Sequence, residues 1–196
     1  AQPSALIVGD LPFGSYQVSP EDAVRSAIRL VKEGGVAAVK LEGGVAARAA
    51  IERIVGAEIP VMGHVGLTPQ AVHRMGGYRV QGRGEAGRQR VLDEVRAVED
   101  AGAFAVVLEG LPADLAAEIT RALAIPTIGI GAGPHTDGQV LVFHDLLGLT
   151  RGHVPKFVKR YAELGALAEE AIRRFVEEVR GGMFPAPEHG FAMTSG

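Results

Sequence analysis

The chain has 196 residues, 47% of them hydrophobic and 22% charged, with a formal net charge of −3 at pH 7. This length holds one good-sized core or two small ones, and the charge, with no Lys/Arg cluster, excludes a basic nucleic-acid surface. Cysteine is absent, which excludes disulfides, thiolate metal sites and cysteine nucleophiles and is compatible with a reducing compartment.

No apolar run approaches the roughly 20 residues of a membrane span, and AQPSALIVGD lacks the basic start of a signal peptide. In chain order the apolar period switches repeatedly. ALIVGD (5–10) is a short apolar run ended by an acid. PEDAVRSAIRLVKEGG (20–35) has helical spacing, with Ser19 as N-cap, Pro20 opening the helix and Gly34-Gly35 stopping it. VAAVKLE (36–42) reads as a strand, VAARAAIERIVGAE (45–58) as a helix and IPVMGHVGL (59–67) as a strand. A short helix capped by Thr68 and a glycine-rich loop follow, then a long amphipathic helix over 85–102. FAVVLEG (104–110) is a strand, ADLAAEITRAL (113–123) a helix and IPTIGIGAG (125–133) a strand. GQVLVFHDLLGL (138–149) carries the last strand-like piece, 155–182 is helical, and the tail from about 183 is irregular.

Strands alternate with helices, and the strands are continuous apolar runs. That pattern belongs to a parallel sheet buried on both faces. Six βα units are predicted in a single domain, 1–196, because no Pro- or Ser-rich linker interrupts it. Two architectures remain open, an open doubly wound sheet and most of a (β/α)8 barrel. In both, ligands bind at the C-terminal strand ends, which here carry Asp10, Lys40, Glu42, His64, Glu109 and the Gly129–Gly133 backbone. Each has a plain reading alone: a helix cap or solvated acid for Asp10 and Glu42, a turn residue for Glu109, a core histidine for His64, an ion pair for Lys40 with Glu42. All five at one edge is harder to dismiss, since buried carboxylates need pairing or a metal, and oxygen donors without cysteine favour Mg²⁺ over zinc. GIGAG is not a dinucleotide fingerprint, because the third glycine position falls on Pro134. Neither a P-loop, nor H-E-x-x-H, nor a G-x-S-x-G elbow occurs, and His73, His135, His144, His153 and His189 lack tight ligand spacing.

Taken together, GDLPFGSY (9–16), VKLEGG (39–44), VMGHVGLTPQ (61–70), GGYRVQGR (76–83), VLEG (107–110), IPTIGIGAG (125–133), TDGQVLVFHDLLGL (136–149) and HVPKFVKRY (153–161) closely resemble the ketopantoate hydroxymethyltransferase family. The resemblance runs from residue 4 to about residue 190. It implies a (β/α)8 TIM barrel of the phosphoenolpyruvate/pyruvate superfamily and Mg²⁺-dependent, aldol-type hydroxymethyl transfer from methylenetetrahydrofolate to α-ketoisovalerate, giving ketopantoate for pantothenate and coenzyme A biosynthesis. It also implies a cytoplasmic homodecamer of two stacked pentamers, with no nucleic-acid or membrane partner. Position by position, Asp10 matches a Mg²⁺ ligand in contact with substrate, Glu42 a second carboxylate at the metal, and Lys40 the lysine at the substrate's carboxylate and keto end. His64 matches an active-site histidine that binds substrate, and Glu109 the general acid/base. Arg79 and Gln81 are further candidates for folate or lid contacts. The family pattern has two more βα units upstream, the second ending in V-G-D-S and supplying another metal aspartate. Those units are absent, so the sequence corresponds to units three to eight of an N-terminally incomplete barrel. Two alternatives stay open: another Mg²⁺-dependent α-keto-acid lyase or mutase of the superfamily, or a non-catalytic barrel fragment.

Overall fold

The computed structural model describes residues 5–71, 77 and 79–191. Where the sequence suggests a single domain, the chain divides into two compact units, Ala1–Val140 and Leu141–Gly196, which are described separately. No helix among the described residues is long and apolar enough to cross a membrane.

In the first unit, β1 (Val8–Asp10), β2 (Ala38–Lys40), β3 (Val61–Gly66), β4 (Ala105–Glu109), β5 (Thr127–Ile130) and β6 (Gly138–Gln139) form one sheet in chain order. Every neighbouring pair is parallel. The helices between them are α1 (Pro20–Gly34), α2 (Arg48–Val55), α3 (Gly84–Asp100) and α4 (Ala113–Ala122). A strand order without reversal has no switch point. Right-handed crossovers then put successive helices on one face, and the sheet curls as a parallel half-barrel. The doubly wound alternative is thereby removed.

Local chemistry explains the helix ends. The Ser19 hydroxyl accepts from the Asp22 N–H at 3.1 Å, Pro20 opens α1, and Gly35 closes it at φ +66°. The strands alternate faces. Val39, Leu41, Val61, Val65, Val106 and Leu108 join the buried core, and Ala23, Ala27, Ile51, Ile54, Val95 and Val98 from the helices join it too. Burying each Val, Leu or Ile contributes about 1.5–3 kcal/mol. Lys40, His64 and Glu109 therefore project from the opposite, concave face, at its C-terminal rim.

Two expectations along the chain need correction. The strand-like piece over 138–149 pairs only at Gly138–Gln139 and then winds into α5 (Phe143–Leu146). Backbone N–H groups of Leu146 and Leu147 bond to the Val142 and Phe143 carbonyls, which takes them out of any ladder. The helix expected over 155–182 begins only at α6 (Leu164–Arg180). Tyr161 N–H, upstream, donates to Leu146 O, and Leu164 N–H, at the first helical residue, donates to Leu147 O, so both groups find partners outside the helix. Within this second unit Phe184 packs edge-on to Phe175 at 5.4 Å and against His189 at 5.0 Å. The short helix expected after Thr68 appears as a 3-10 turn at Pro69–Ala71, and its remainder lies outside the described residues.

The contact of α3 with β3 depends on a missing side chain. A Cβ on Gly63 would stand 2.3 Å from Val98 Cγ1. Gly63→Ala is expected to destabilise the fold by about 1–3 kcal/mol through overpacking. In urea unfolding, combining it with Val98→Ala should cost clearly less than the sum of the two single changes.

Candidate active site

Four strand ends deliver the rim residues. Asp10 ends β1 and Lys40 ends β2 in register with it, so the two side chains meet at 2.8 Å, Lys40 Nζ to Asp10 Oδ1. Asp10 is half exposed, whereas Lys40 is largely covered. The plain expectation of a Lys40–Glu42 pair is corrected: the partner of Lys40 is Asp10, because strand register places them side by side. Glu42 lies past the end of β2, where the chain turns through Gly43 at φ +116° and the Gly43 N–H donates to His64 O at 2.9 Å. A glycine is needed at that turn, since side chains rarely adopt this φ.

His64, on β3, is the hub. Its side chain is only 5% exposed. Nδ1 stands 3.4 Å from Lys40 Nζ and 3.8 Å from Glu42 Oε1. With Lys40 charged, Nδ1 accepts, which leaves the proton on Nε2. Nε2 lies 3.1 Å from Glu109 Oε2, the carboxylate that ends β4. This contact is close but badly aligned, so Nε2 is a buried donor without a completed hydrogen bond. Such an atom is costly until something aligns with it, and the concave face in front of it is where a substrate group would stand.

Glu42 is buried, and burial pushes its carboxyl above the ordinary range; His64, the Gln70 N–H and Lys40 pull the other way. It is also held from behind. The Gln70 N–H donates to Glu42 Oε2 at 3.0 Å, and the Glu42 N–H donates to Tyr16 Oη at 3.2 Å. Tyr16 in turn donates to Gln70 Oε1 at 2.8 Å, and its phenol is pushed up to about 12, chiefly by burial. Tyr16 and Gln70 sit in GDLPFGSY and VGLTPQ, yet nothing in their spacing marks them: Tyr16 and Gln70 are 54 residues apart. Behind this group opens a cleft of about 460 Å³ whose lining includes Phe13, Tyr16, Glu42, Thr68 and Gln70.

Arg79 and Gln81 do not join the cluster. Arg79 is exposed, and the Gln81 amide turns back onto Arg79 O at 2.9 Å. The Gln81 backbone N–H does reach Gly110 O, one residue past Glu109, and Gln81 lines a second cleft with Arg83 and Arg90. For Mg²⁺, Asp10 and Glu42 supply hard oxygen donors, and an ion that keeps its waters needs only one or two carboxylates. No group of three or more His, Asp or Glu able to enclose a metal occurs among the described residues. The donor chemistry therefore fits a water-rich ion shared with a substrate.

The half-barrel brings a cationic end at Lys40 and a carboxylate at Glu109 onto one rim, the residue types that anion binding and proton transfer require. The family model described as ketopantoate hydroxymethyltransferase matches residues 1–187. The chain belongs to this family. It is 58% identical over 191 residues to 3-methyl-2-oxobutanoate hydroxymethyltransferase from Pelobacter propionicus, covering 97% of this chain and 71% of that protein. It is 64% identical over 185 residues to the protein of the same name from Streptomyces avermitilis, covering 94% and 64%. The chain thus spans roughly two thirds of the length of these relatives. Among solved structures, phosphonopyruvate hydrolase superposes with a TM-score of 0.50 at 16% identity, over 98% of this chain and 66% of that one, which supports the fold.

The raised Glu42 carboxyl has a sign that can be tested. Its folded pKa lies above the ordinary 4.5. The unfolded chain therefore ionises first, and this contribution to stability is present below about pH 4.5 and lost as pH rises through the folded value. In Mg²⁺-free buffer, Glu42→Gln should be more stable than the parent at pH 7. The gap in urea midpoints should close as pH falls toward 4.5.

Proposed function

We propose that this chain carries the catalytic rim of a ketopantoate hydroxymethyltransferase, which moves a hydroxymethyl group from methylenetetrahydrofolate to α-ketoisovalerate. Family membership supports the reaction. The observation that carries the assignment of roles is the division of the rim into a cationic end, Lys40 with Asp10, and a carboxylate, Glu109, that touches the buried His64 and has no lysine beside it. We propose further that the six strands are part of an eight-stranded barrel, supported by the unreversed strand order and the greater length of the relatives. The homodecamer and the cytoplasmic setting rest on the family alone.

Asp10 and Glu42 would hold Mg²⁺, which when bound supplies Lewis-acid polarisation of an α-keto acid. The Lys40 ammonium faces the carboxylate and keto end of the substrate and stabilises negative charge that develops on those oxygens. Glu109 takes the proton from C3, and the C–H electron pair moves into the enolate. His64 Nε2 stands 3.1 Å from Glu109 Oε2 without a completed hydrogen bond, close enough to orient the carboxylate once the two align. Water hydrolyses the methylene bridge of the folate donor, breaking both C–N bonds and releasing tetrahydrofolate and a formaldehyde equivalent; the enolate carbon adds to that carbonyl carbon, and the C=O electron pair takes the proton from Glu109 to become the hydroxyl. The roles of Asp10 and Glu109 differ because their surroundings do: one sits beside the Lys40 ammonium, the other beside the His64 imidazole.

The test is exchange of the C3 proton of α-ketoisovalerate in D₂O with Mg²⁺ and no folate. Glu109→Gln should lower exchange by about 10²–10⁴-fold, the usual contribution of a positioned base, while substrate binding persists. Exchange at the parental rate in that variant would remove Glu109 as the base.

A further inference from the structure

One side chain touches the surroundings of both proposed metal carboxylates. Gln70 Nε2 donates to Leu11 O at 2.9 Å, and Leu11 is the residue directly after Asp10. The same residue's backbone N–H donates to Glu42 Oε2 at 3.0 Å. Leu11 is held from its other side as well, since its N–H donates to Lys40 O at 2.9 Å. Leu11 is fully buried. The peptide that sets the direction of Asp10 is therefore clamped between β2 and Gln70. Tyr16 closes the ring: its hydroxyl donates to Gln70 Oε1 at 2.8 Å and accepts from the Glu42 N–H at 3.2 Å. Gln17 Nε2 adds a longer contact to Gln70 Oε1 at 3.4 Å.

We propose that Tyr16 and Gln70 are positioning residues that set the separation and orientation of Asp10 and Glu42, and so determine the affinity of the rim for a divalent cation. The inference rests on the metal reading of those two carboxylates. The physical reason lies in where rigidity is otherwise lacking. Asp10 closes a three-residue strand, and Glu42 lies beyond the last paired residue of β2. Neither carboxylate is held by its own strand's ladder at the oxygen end. Gln70 comes from the 3-10 turn after β3, and it joins the loops after β1 and β2 through one amide and one backbone N–H. Hydrogen-bonding partners behind metal ligands orient them, and losing such a partner usually weakens binding by about 10–100-fold.

The same geometry gives the amide no alternative orientation. If Gln70 were flipped, its nitrogen would face the Tyr16 hydroxyl and its oxygen would face the Leu11 carbonyl, an acceptor against an acceptor. Both ends of the amide are thus specified. A methionine at position 70 would fill similar space and keep the backbone N–H to Glu42 while losing both amide bonds. A phenylalanine at position 16 would keep the ring and lose only the hydroxyl.

The experiment is Mg²⁺ titration calorimetry on the metal-free protein, with thermal unfolding in EDTA run alongside. Parent, Tyr16→Phe, Gln70→Met, the double variant, Asp10→Asn and Glu42→Gln are compared. Gln70→Met should weaken Mg²⁺ binding by about 10–100-fold, Tyr16→Phe by a smaller factor, and the double variant no more than Gln70→Met, since they act through one unit. A purely structural role predicts lower unfolding temperatures in EDTA with an unchanged Mg²⁺ Kd; that result overturns the inference while leaving the metal reading intact. If Asp10→Asn and Glu42→Gln also leave binding unchanged, or the parent takes up no Mg²⁺, the metal reading fails and this inference fails with it.

Discussion

Lys40 is the positive charge on which the rim depends. Asp10, Glu42 and Glu109 come from separate βα units onto one concave edge, and without a cation between them they would repel one another. Lys40 contacts Asp10 at 2.8 Å and His64 at 3.4 Å, and it lowers the cost of keeping Glu42 ionised. Its own burial is tolerable because the partner is held opposite it by β-sheet register rather than by two flexible side chains finding each other. The tautomer of His64 follows from the same ammonium. The proton on Nε2, facing Glu109, is in that sense a consequence of Lys40, and the acid–base end of the site is wired to the anion-binding end through a single imidazole.

The fold supplies this arrangement by asymmetry between its two faces. On the helix side, strand residues are apolar and packed, and where even a methyl would not fit the chain has glycine, as at Gly63 against Val98. On the concave side polar residues take alternate positions near the C-terminal ends: Lys40 stands level with Met62, His64 with Val107, and Glu109 with Gly66 and Ile130. His64, Glu42 and Glu109 are thereby largely covered, and a ligand at the rim can repay part of their desolvation.

Much of this was legible in the chain itself, and the reasons for success and failure are physical. The ends of α1 follow from Ser19, Pro20 and Gly35, whose preferences are local. The first five strands follow from apolar runs, and the convergence of Asp10, Lys40, Glu42, His64 and Glu109 follows from where parallel strands must end. What the pattern could not show depends on pairing between units. The partner of Lys40 was decided by the register of β1 on β2, not by the two-residue spacing to Glu42. Tyr16 and Gln70 have no signature because their work is done across 26 to 59 residues of chain. The segment before α6 has helical composition, but the Tyr161 N–H is taken by Leu146 O and the Val158 N–H by Pro155 O, a competition that periodicity does not report.

The three-residue length of β1 has a further meaning. This strand offers only three residues to its ladder with β2. Short strands of few hydrogen bonds open at low free energy. Asp10 rides on that strand, so any opening of β1 carries a carboxylate away from Lys40. An occupant bridging Asp10 and Lys40 must then tighten the β1–β2 pairing by the same free energy with which that pairing favours the occupant. Slowed amide exchange at Leu11 and Ala37, whose N–H groups bond to Lys40 O and Ile7 O, is the form in which the rim would report that it is filled.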